Sequence, residues 1–350
     1  MAYTDIDKPS DYMRIQTWSG NNSADREITW SETDNMQPDW IWVKRRSDTA
    51  NHRLADSVRG ATKILRSDTN GAETTESDDT LSFDTNGFSV GSNSGVNKTG
   101  DTYVGWGWKA GTSFTNDASS TGIGSIDSSG SVSDASGFSI VSYTGTGSAG
   151  TIKHGLSAAP NFMIVKNRDA ARSWNVYFGD PTDYIYLNDT AAAADYNEIW
   201  NDTAPTTSVF SVGTDNGVNQ SGEKYIAYIF AEKQGYSKFG SYTGNGNANG
   251  TFVYTGFKPA FVMVKQTNTV RYWAMFDNKR DGLNPTNRPL FPNASDQESD
   301  SVNYYHDILS NGFKWRTNSN IMNVSGGTYI YMAFAENPFV TSTGVPATAR

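Results

Sequence analysis

The segment Pro38-Asp39-Trp40-Ile41-Trp42-Val43-Lys44 occurs three times in this chain with small changes. The second copy is Pro160-Asn161-Phe162-Met163-Ile164-Val165-Lys166, and the third is Pro259-Ala260-Phe261-Val262-Met263-Val264-Lys265. We call each copy a central segment. A short apolar run behind a proline is typical of a strand buried on both faces, because a missing N–H costs least at the start of a strand. The repetition predicts three copies of one structural unit.

Two further motifs accompany every central segment. An opening motif precedes it, as Trp18-Ser19-Gly20, Tyr143-Thr144-Gly145 and Tyr242-Thr243-Gly244. A closing motif follows it and starts with Asn-x-Ser/Thr-Gly at 97–100, 219–222 and 323–326. We expect this Asn side chain to cap the turn that the Gly of the same motif completes. The residues that follow alternate, as in Tyr225-Ile226-Ala227-Tyr228, and predict a final strand with one face in a core.

Short strands joined by tight turns are therefore expected throughout the chain, because Asn-Gly turn signals recur and helical periodicity is nearly absent. The sequence predicts an all-β protein with three tandem β-sandwich domains of the jelly-roll type. Its predicted parts are an N-terminal leader (1–14), sandwich repeats (15–110, 138–235 and 236–340), a Ser/Gly-rich linker (111–137) and a C-terminal tail (341–350). We expect the linker to be flexible and the first repeat to be offset from the other two.

Composition excludes several classes of function. The net charge of −9 disfavours binding to nucleic acid or to an anionic membrane surface. No apolar stretch approaches the roughly 18 residues of a membrane span, and the first residues do not resemble a secretory signal. The absence of cysteine removes disulfides and thiolate chemistry. We expect no cofactor, and we expect synthesis in a cytoplasm followed by release through lysis.

Cationic residues follow two of the central segments. Arg45 and Arg46 follow the first, and Arg168 follows the second. One interpretation is that they are solvated residues at the end of an apolar strand; the other is that they contact an acidic or glycan partner. The third repeat has Gln266-Thr267-Asn268 after Lys265, so it should not bind a partner in the same way.

Two tryptophans and one acidic loop are further candidates. Trp106 and Trp108 share one face of a strand and are separated by glycine, which suits either core packing or a platform for sugar stacking. The oxygen-rich residues Asp68, Asn70 and Glu73 are a weak candidate for a Ca²⁺ site. A hairpin with an Asx-turn explains that stretch equally well.

No catalytic residue is predicted. The three histidines occupy different places in the repeats and are expected to be exposed, and no Gly-x-Ser-x-Gly elbow is expected between a strand and a helix. Glu232 and Glu336 correspond to each other, but the first repeat has Ala110 there. Because three similar scaffolds rarely serve one reaction, we expect a protein that is not an enzyme. Polysaccharide depolymerase activity from a carboxylate pair stays as an alternative.

The combined motif, Tyr-Thr-Gly-x-Gly followed by Pro-x-Phe-x-x-Val-Lys-x-Arg, resembles repeats in tail-fibre-like structural proteins of marine tailed phages. The first repeat adds Lys8-Pro9-Ser10-Asp11-Tyr12 and Tyr103-Val104-Gly105-Trp106-Gly107-Trp108. The second departs by lacking Asn-Gly before Phe210. The resemblance implies a concanavalin-like, lectin-type sandwich and no known catalytic residues.

This resemblance implies a virion structural protein, with a tail fibre or adhesin subunit that contacts host-surface glycans as the leading interpretation. The alternatives are a capsid decoration or head-fibre protein, a glycan-degrading tailspike, and a carbohydrate-binding module unrelated to phage. Expected partners are other virion proteins, such as a tail adaptor or the capsid, and further copies of the chain in a trimer. Specificity is expected in the variable middle of each repeat, at 50–80, 171–207 and 270–303.

Overall fold

Antiparallel β-strands dominate the computed structural model, which describes residues 4–348. The all-β prediction is confirmed. The first three residues of the predicted leader and the last two of the predicted tail lie outside the described range. The described ends are packed together, since the Asp7 carboxylate accepts a hydrogen bond from the Ser342 N–H at 2.6 Å.

Unit one follows a short 3₁₀ helix, Pro9–Asp11. Its strands are β1 (Met13–Ser19), β2 (Arg26–Thr29), β3 (Trp40–Arg45), β4 (Arg53–Asp56), β5 (Lys63–Ile64), β6 (Thr74–Thr75), β7 (Thr80–Asp84), β8 (Gly87–Val90) and β9 (Thr102–Trp108). The larger sheet has the order β1-β9-β3-β4, and a smaller sheet has the order β2-β8-β7. β5 and β6 form a separate ribbon.

Unit two is the longest. Its elements are β10 (Thr112–Asn116), α1 (Ala118–Thr121), β11 (Ser128–Ser133), β12 (Phe138–Thr144), β13 (Gly150–Lys153), β14 (Phe162–Asn167), β15 (Asn175–Tyr177), β16 (Asp183–Tyr186), β17 (Ala194–Asp195), α2 (Asn197–Trp200), β18 (Val209–Val212), α3 (Asn216–Asn219) and β19 (Lys224–Phe230). The larger sheet runs β10-β11-β12-β19-β14-β15-β16-β17, and β13 pairs with β18.

Unit three repeats the plan of unit one. Its elements are β20 (Ser237–Thr243), β21 (Phe252–Tyr254), β22 (Phe257–Gln266), β23 (Ala274–Asp277), a 3₁₀ helix (Val302–Tyr304), β24 (His306–Leu309), β25 (Gly312–Trp315) and β26 (Thr328–Pro338). The larger sheet runs β20-β26-β22-β23, and the smaller one runs β21-β25-β24. In every unit, therefore, the opening strand pairs with the closing strand, which pairs with the central strand.

Each central strand buries its two faces in two different cores. Trp40 and Trp42 belong to one cluster, whereas Ile41 and Val43 belong to another that lies within unit one, next to its smaller sheet. The central strands of units two and three divide in the same way. The first cluster is shared, because it contains residues of all three units. Aromatic pairs join each unit to both others: Trp40–Tyr228 at 4.3 Å, Trp108–Phe261 at 5.7 Å and Phe230–Phe334 at 5.7 Å between ring centroids.

The three units therefore close around one common core instead of following one another as a string. The expected offset of unit one is wrong, because its central and closing strands supply four tryptophans to that core. Rings that bury this much apolar area give the shared core a large share of the stability of the molecule.

The predicted flexible linker is also folded. Residues 112–133 form β10, α1 and β11, which extend the sheet of unit two beyond β12. Asp117 caps α1 by accepting a hydrogen bond from the Ser120 N–H at 3.1 Å, and Gly122 ends the helix with φ of 68°. Gly130 lies so close to Ile140 that a Cβ would stand 2.0 Å from its carbonyl oxygen. Small residues here allow close packing, although their composition suggested disorder.

The opening and closing motifs meet at one end of each unit. Tyr143 stacks on Tyr225 with centroids 5.0 Å apart, and the corresponding rings stack in the other units. Asn219 accepts a hydrogen bond from Thr146 and donates to Ser148 and Gly213, so it holds the loop after the opening motif. The sequence predicted that this Asn caps the turn of its own motif; the side chain instead binds the loop after the opening motif, 73 positions away, and the Gln220 N–H of that turn donates to the Tyr225 hydroxyl.

Candidate functional site

The predicted binding arginines form ion pairs between units. Arg46 of unit one pairs with Glu298 of unit three through two hydrogen bonds of 2.9 and 2.8 Å. Arg168 of unit two pairs with Glu73 of unit one at 2.9 and 3.1 Å. Such bidentate pairs fix geometry as well as charge. These arginines therefore join units, a role that differs from both interpretations of the sequence.

Unit three lacks this arginine, and its neighbour lacks the matching glutamate. The Ala193 N–H donates to the Thr267 carbonyl at 2.8 Å, just as Glu298 donates to Arg46 and Glu73 to Arg168 through their backbones. The backbone contact thus recurs at all three junctions, while the ion pair occurs at two of them. The Gln266-Thr267-Asn268 exception in the sequence marks the junction that lacks this ion pair.

The lysine that ends each central segment also contacts a neighbouring unit. Lys44, Lys166 and Lys265 each donate from Nζ to a carbonyl of a neighbouring unit: Ser295 at 3.3 Å, Asn70 at 3.2 Å and Thr190 at 3.1 Å respectively. Burial lowers the pKa of these lysines to about 8, about 7 and about 8. The acceptors come from the variable middle segments, so these segments form the junctions between units.

Arg45 is buried and pairs within unit one. Its guanidinium contacts Asp48 and lies 3.0 Å from an Asp101 carboxylate oxygen. Arg45 is therefore neither a solvated residue at the end of the strand nor part of an open binding surface, so both interpretations of the sequence are wrong for it.

A buried carboxylate–arginine network at two junctions was not foreseen from the sequence. Asp56 accepts hydrogen bonds from Arg59 at 2.5 Å and from the Tyr228 hydroxyl of unit two at 2.7 Å. In unit three, Asp277 accepts hydrogen bonds from Arg280 at 2.6 Å and from the Trp106 indole N–H of unit one at 3.1 Å. The recurring Asp-x-x-Arg spacing was the signal that could have revealed it.

Trp106 and Trp108 are almost completely buried in the shared core. Core packing is thus the interpretation that the structure supports, and neither ring faces a sugar groove. Arg280 lies over the Trp106 ring at 5.9 Å, which adds a cation–π contact to the indole hydrogen bond.

At the weak Ca²⁺ candidate, arginine and lysine side chains already contact Glu73 and Asn70. Glu73 contacts both Arg59 and Arg168, and the Asn70 carbonyl accepts from Lys166. Asp68 accepts a hydrogen bond from the His52 N–H, and burial raises the pKa of its carboxyl to about 6. Arginine and lysine cations at these distances disfavour binding of a metal cation. Within residues 4–348, no group of His, Asp or Glu is arranged to hold a metal ion.

The expectation of exposed histidines is wrong, since all three are buried. His52 accepts from the Trp42 indole N–H at 2.8 Å, so its other nitrogen carries the proton and donates to the Phe291 carbonyl at 2.8 Å. Burial lowers the pKa of His154 and of His306 to about 4. Neutral, backbone-bonded rings are structural groups in this protein.

An open groove of about 890 Å³ lies on unit two and is large enough to accept an extended ligand. It exists because the folded segment 112–133 adds two strands and a helix beside the opening motif. Hydroxyl side chains dominate its lining, together with one amide, two carboxylates and two cations: Thr115, Asn116, Asp117, Ser125, Ile126, Asp127, Ser128, Ser129, Ser142, Tyr143, Thr144, Gly145, Thr146, Arg168 and Lys224.

The charges of the groove have defined roles. Hydrogen bonds from Ser119 and Ser120 lower the pKa of Asp117, which keeps this carboxylate ionised. Asp127 accepts from the Ala118 N–H at 2.8 Å. Arg168 is the one predicted binding residue that reaches the groove, beside its ion pair with Glu73. The groove therefore holds both donors and acceptors, of which Asn116, Ser128 and Tyr143 already bond within unit two.

Comparison with known proteins identifies a family for this chain but does not indicate an activity. A search of the curated proteins finds no match. Within residues 4–348, no helix is both long and apolar enough to cross a membrane. A family model described as "Domain of unknown function (DUF7483)" matches residues 8–338, which include all three units and the segment between the first two. The chain belongs to the DUF7483 family.

Proposed function

We propose that this protein is a structural component of a phage virion, a tail fibre or adhesin subunit, and that it binds host-surface glycans through the groove on unit two. The observation that carries the proposal is the lining of this groove, in which hydroxyls, carboxylates and cations lie side by side. Sugar hydroxyls donate and accept hydrogen bonds, so a lining of mixed donors and acceptors suits them. The open form of the groove suits a chain of sugars.

The state of the Asp117 carboxyl favours a binding role over catalysis. Hydrolysis of a glycosidic bond needs one carboxyl with a raised pKa to act as the acid. In the groove, the pKa of Asp117 is lowered instead. The tailspike with depolymerase activity is the second candidate, and the two carboxylates of the groove would be its reactive pair.

The proposal extends to fold type and assembly. We assign each unit, with its larger and smaller sheets and the buried cluster between them, to the concanavalin-like jelly-roll sandwiches. The protein joins other virion proteins at a tail adaptor, assembles with further copies of itself, and reaches the medium by lysis. A capsid decoration or head-fibre protein is the alternative within the virion: it would have the same fold and groove but would dock onto the capsid instead of the tail.

Binding of the purified full chain to host cells and to a glycan array tests the proposal. Ser129→Trp fills the groove from an exposed position on β11. Ser113→Trp adds the same ring at an exposed position on β10 that does not line the groove. We expect the first variant to lose binding and the second to keep it. Equal binding by both variants, or none by the unmodified protein, would overturn the assignment.

Incubation of the same glycans with the protein separates the two candidates. Release of shorter sugars that is abolished by Asp127→Asn would support the tailspike. Intact glycans, together with binding that Ser129→Trp abolishes, would support the adhesin.

A further inference from the structure

A second, smaller cleft of about 280 Å³ lies between unit one and unit three. Unit one contributes Arg14 from β1 and Glu32 from the loop after β2. Unit three contributes Asn278 and Lys279, which follow β23, and Glu336 near the end of β26. The cleft is remote in sequence from the groove on unit two and shares no lining residue with it.

Three buried polar atoms that line this cleft have no hydrogen-bond partner within the described chain: Arg14 Nη2, Glu32 Oε2 and Asn278 Oδ1. The Arg14 side chain belongs to a residue that is only 2% exposed. Unsatisfied buried groups of this kind are costly, so several in one cavity indicate that something else completes them.

The neighbouring contacts fix the direction of each atom. Arg14 donates from Nε to the Ser10 carbonyl and from Nη1 to the Asp34 carbonyl, both at 2.6 Å, which leaves Nη2 for the cleft. Asn278 donates from Nδ2 to a Glu336 carboxylate oxygen at 2.6 Å. Because a carboxylate only accepts, the amide cannot be reversed, and Oδ1 is an acceptor.

Glu32 is held from the other side. Lys279 Nζ lies 3.2 Å from Glu32 Oε1, so Oε2 is the free acceptor of that carboxylate. The cleft thus combines two cations with two carboxylates, and its unpaired buried atoms are one donor and two acceptors. Balanced charge favours a neutral ligand over an ion.

The cleft is particular to this junction. Arg14 lies opposite Gly107 in the pairing of opening and closing strands, and the corresponding positions are Ser139 in unit two and Lys238 in unit three. The guanidinium is therefore not part of the repeated scaffold.

We propose that this cleft binds a small neutral polyhydroxylated ligand about the size of one sugar ring. Each hydroxyl both accepts and donates, so vicinal hydroxyls can accept from Arg14 Nη2 and donate to Glu32 Oε2 and Asn278 Oδ1. The site is independent of the groove and extends beyond the proposed function, since it would hold a free sugar or polyol between two units.

Isothermal titration of the full chain with D-glucose, D-galactose, D-mannose and glycerol tests the site. We expect saturable 1:1 binding of at least one of them. Glu32→Gln and Asn278→Leu should each weaken it roughly tenfold or more, because hydrogen bonds to charged or buried groups are lost. Glu27→Gln, the same change on the exposed face of β2, should leave binding unchanged, and so should Ser129→Trp in the groove.

The opposite results are equally clear. Absence of binding by all four compounds, or binding that Glu32→Gln and Asn278→Leu leave intact, would overturn the proposal. Should either variant unfold, crystals of the unmodified protein soaked in the same compounds decide the matter. A ring in the cleft supports the site, and ordered water alone on the three atoms refutes it.

Discussion

Replacement of Asp56 by alanine should destabilise the whole molecule and not unit one alone. The carboxylate accepts hydrogen bonds from Arg59, from the Tyr228 hydroxyl and from two backbone N–H groups, and the Asp56 and Arg59 side chains are fully buried. Removal of one partner from a buried ion pair costs roughly 3–5 kcal/mol, because it leaves an uncompensated charge. Arg59 keeps Glu73 at 3.1 Å, so we expect about 4 kcal/mol.

Tyr228→Phe examines the same network from unit two. It removes a hydroxyl that donates to Asp56 at 2.7 Å and accepts from Arg59 at 3.2 Å. Hydrogen bonds to charged groups contribute roughly 1.5–3 kcal/mol, so we expect a loss of about 2 kcal/mol. Asp25→Ala, at an exposed position in unit one, should change stability by less than about 0.5 kcal/mol and is the control.

Unfolding in guanidinium chloride, followed by circular dichroism and by tryptophan fluorescence, measures these decreases in the free energy of unfolding. Because the three units share one core, both probes should report one transition, and both variants should move all of it. Separate transitions for the units, with Asp56→Ala displacing only one of them, would refute the claim that the shared core couples the units.

Three further predictions concern other parts of the chain. His154 accepts a hydrogen bond from the Leu156 N–H and donates one to the Thr206 carbonyl. Its pKa is about 4 in the folded state and about 6.5 in the unfolded chain. Between these pH values the unfolded chain binds more protons, so the stability of the fold decreases as the pH drops from about 6.5 to about 4. Unfolding at pH 7 and pH 4.5 should show a loss of about 3 kcal/mol at most, reduced in His154→Gln; an identical pH dependence in that variant would contradict this cause. Asn219→Ala should cost about 1–3 kcal/mol in the same denaturation assay, since it leaves loop groups unpaired, and an unchanged midpoint would show that the loop after the opening motif does not need this side chain. Gly145→Ala should cost at least as much, because its Cβ would lie 2.3 Å from the Gln220 carbonyl oxygen, whereas Gly222→Ala has open space and tests only the cost of a positive φ.

Strand pairing was predictable because it depends on local patterns. The opening, central and closing motifs carry the alternation and turn signals that place them side by side in every unit. The apolar run of the central segment also predicted burial on both faces. It could not reveal that Trp40 and Trp42 face residues of the other units, because periodicity shows that a face is buried and not what covers it.

The site residues were harder to predict, because their partners are distant in the chain. Arg46 and Glu298 are 252 positions apart, and nothing in the local sequence of either indicates the other. The groove was missed for a different reason. Ser/Gly-rich composition suggested a flexible linker, although Asp117 and Gly122 are ordinary signals for the two ends of a helix.

Differences between the junctions explain why the middle segments vary so much. Two junctions carry an ion pair and a buried Asp–Arg network, whereas the third has Thr267, Ala193, Phe178 and Met332 at the corresponding positions. Three identical junctions would permit each unit to pack against the wrong neighbour. Buried charges that match at only some contacts favour one arrangement, a use of polar groups that specifies register more than it adds stability. Variation in the middle segments is then explained by assembly of the units, and recognition of a partner is better sought in the groove that the segment 112–133 adds to unit two.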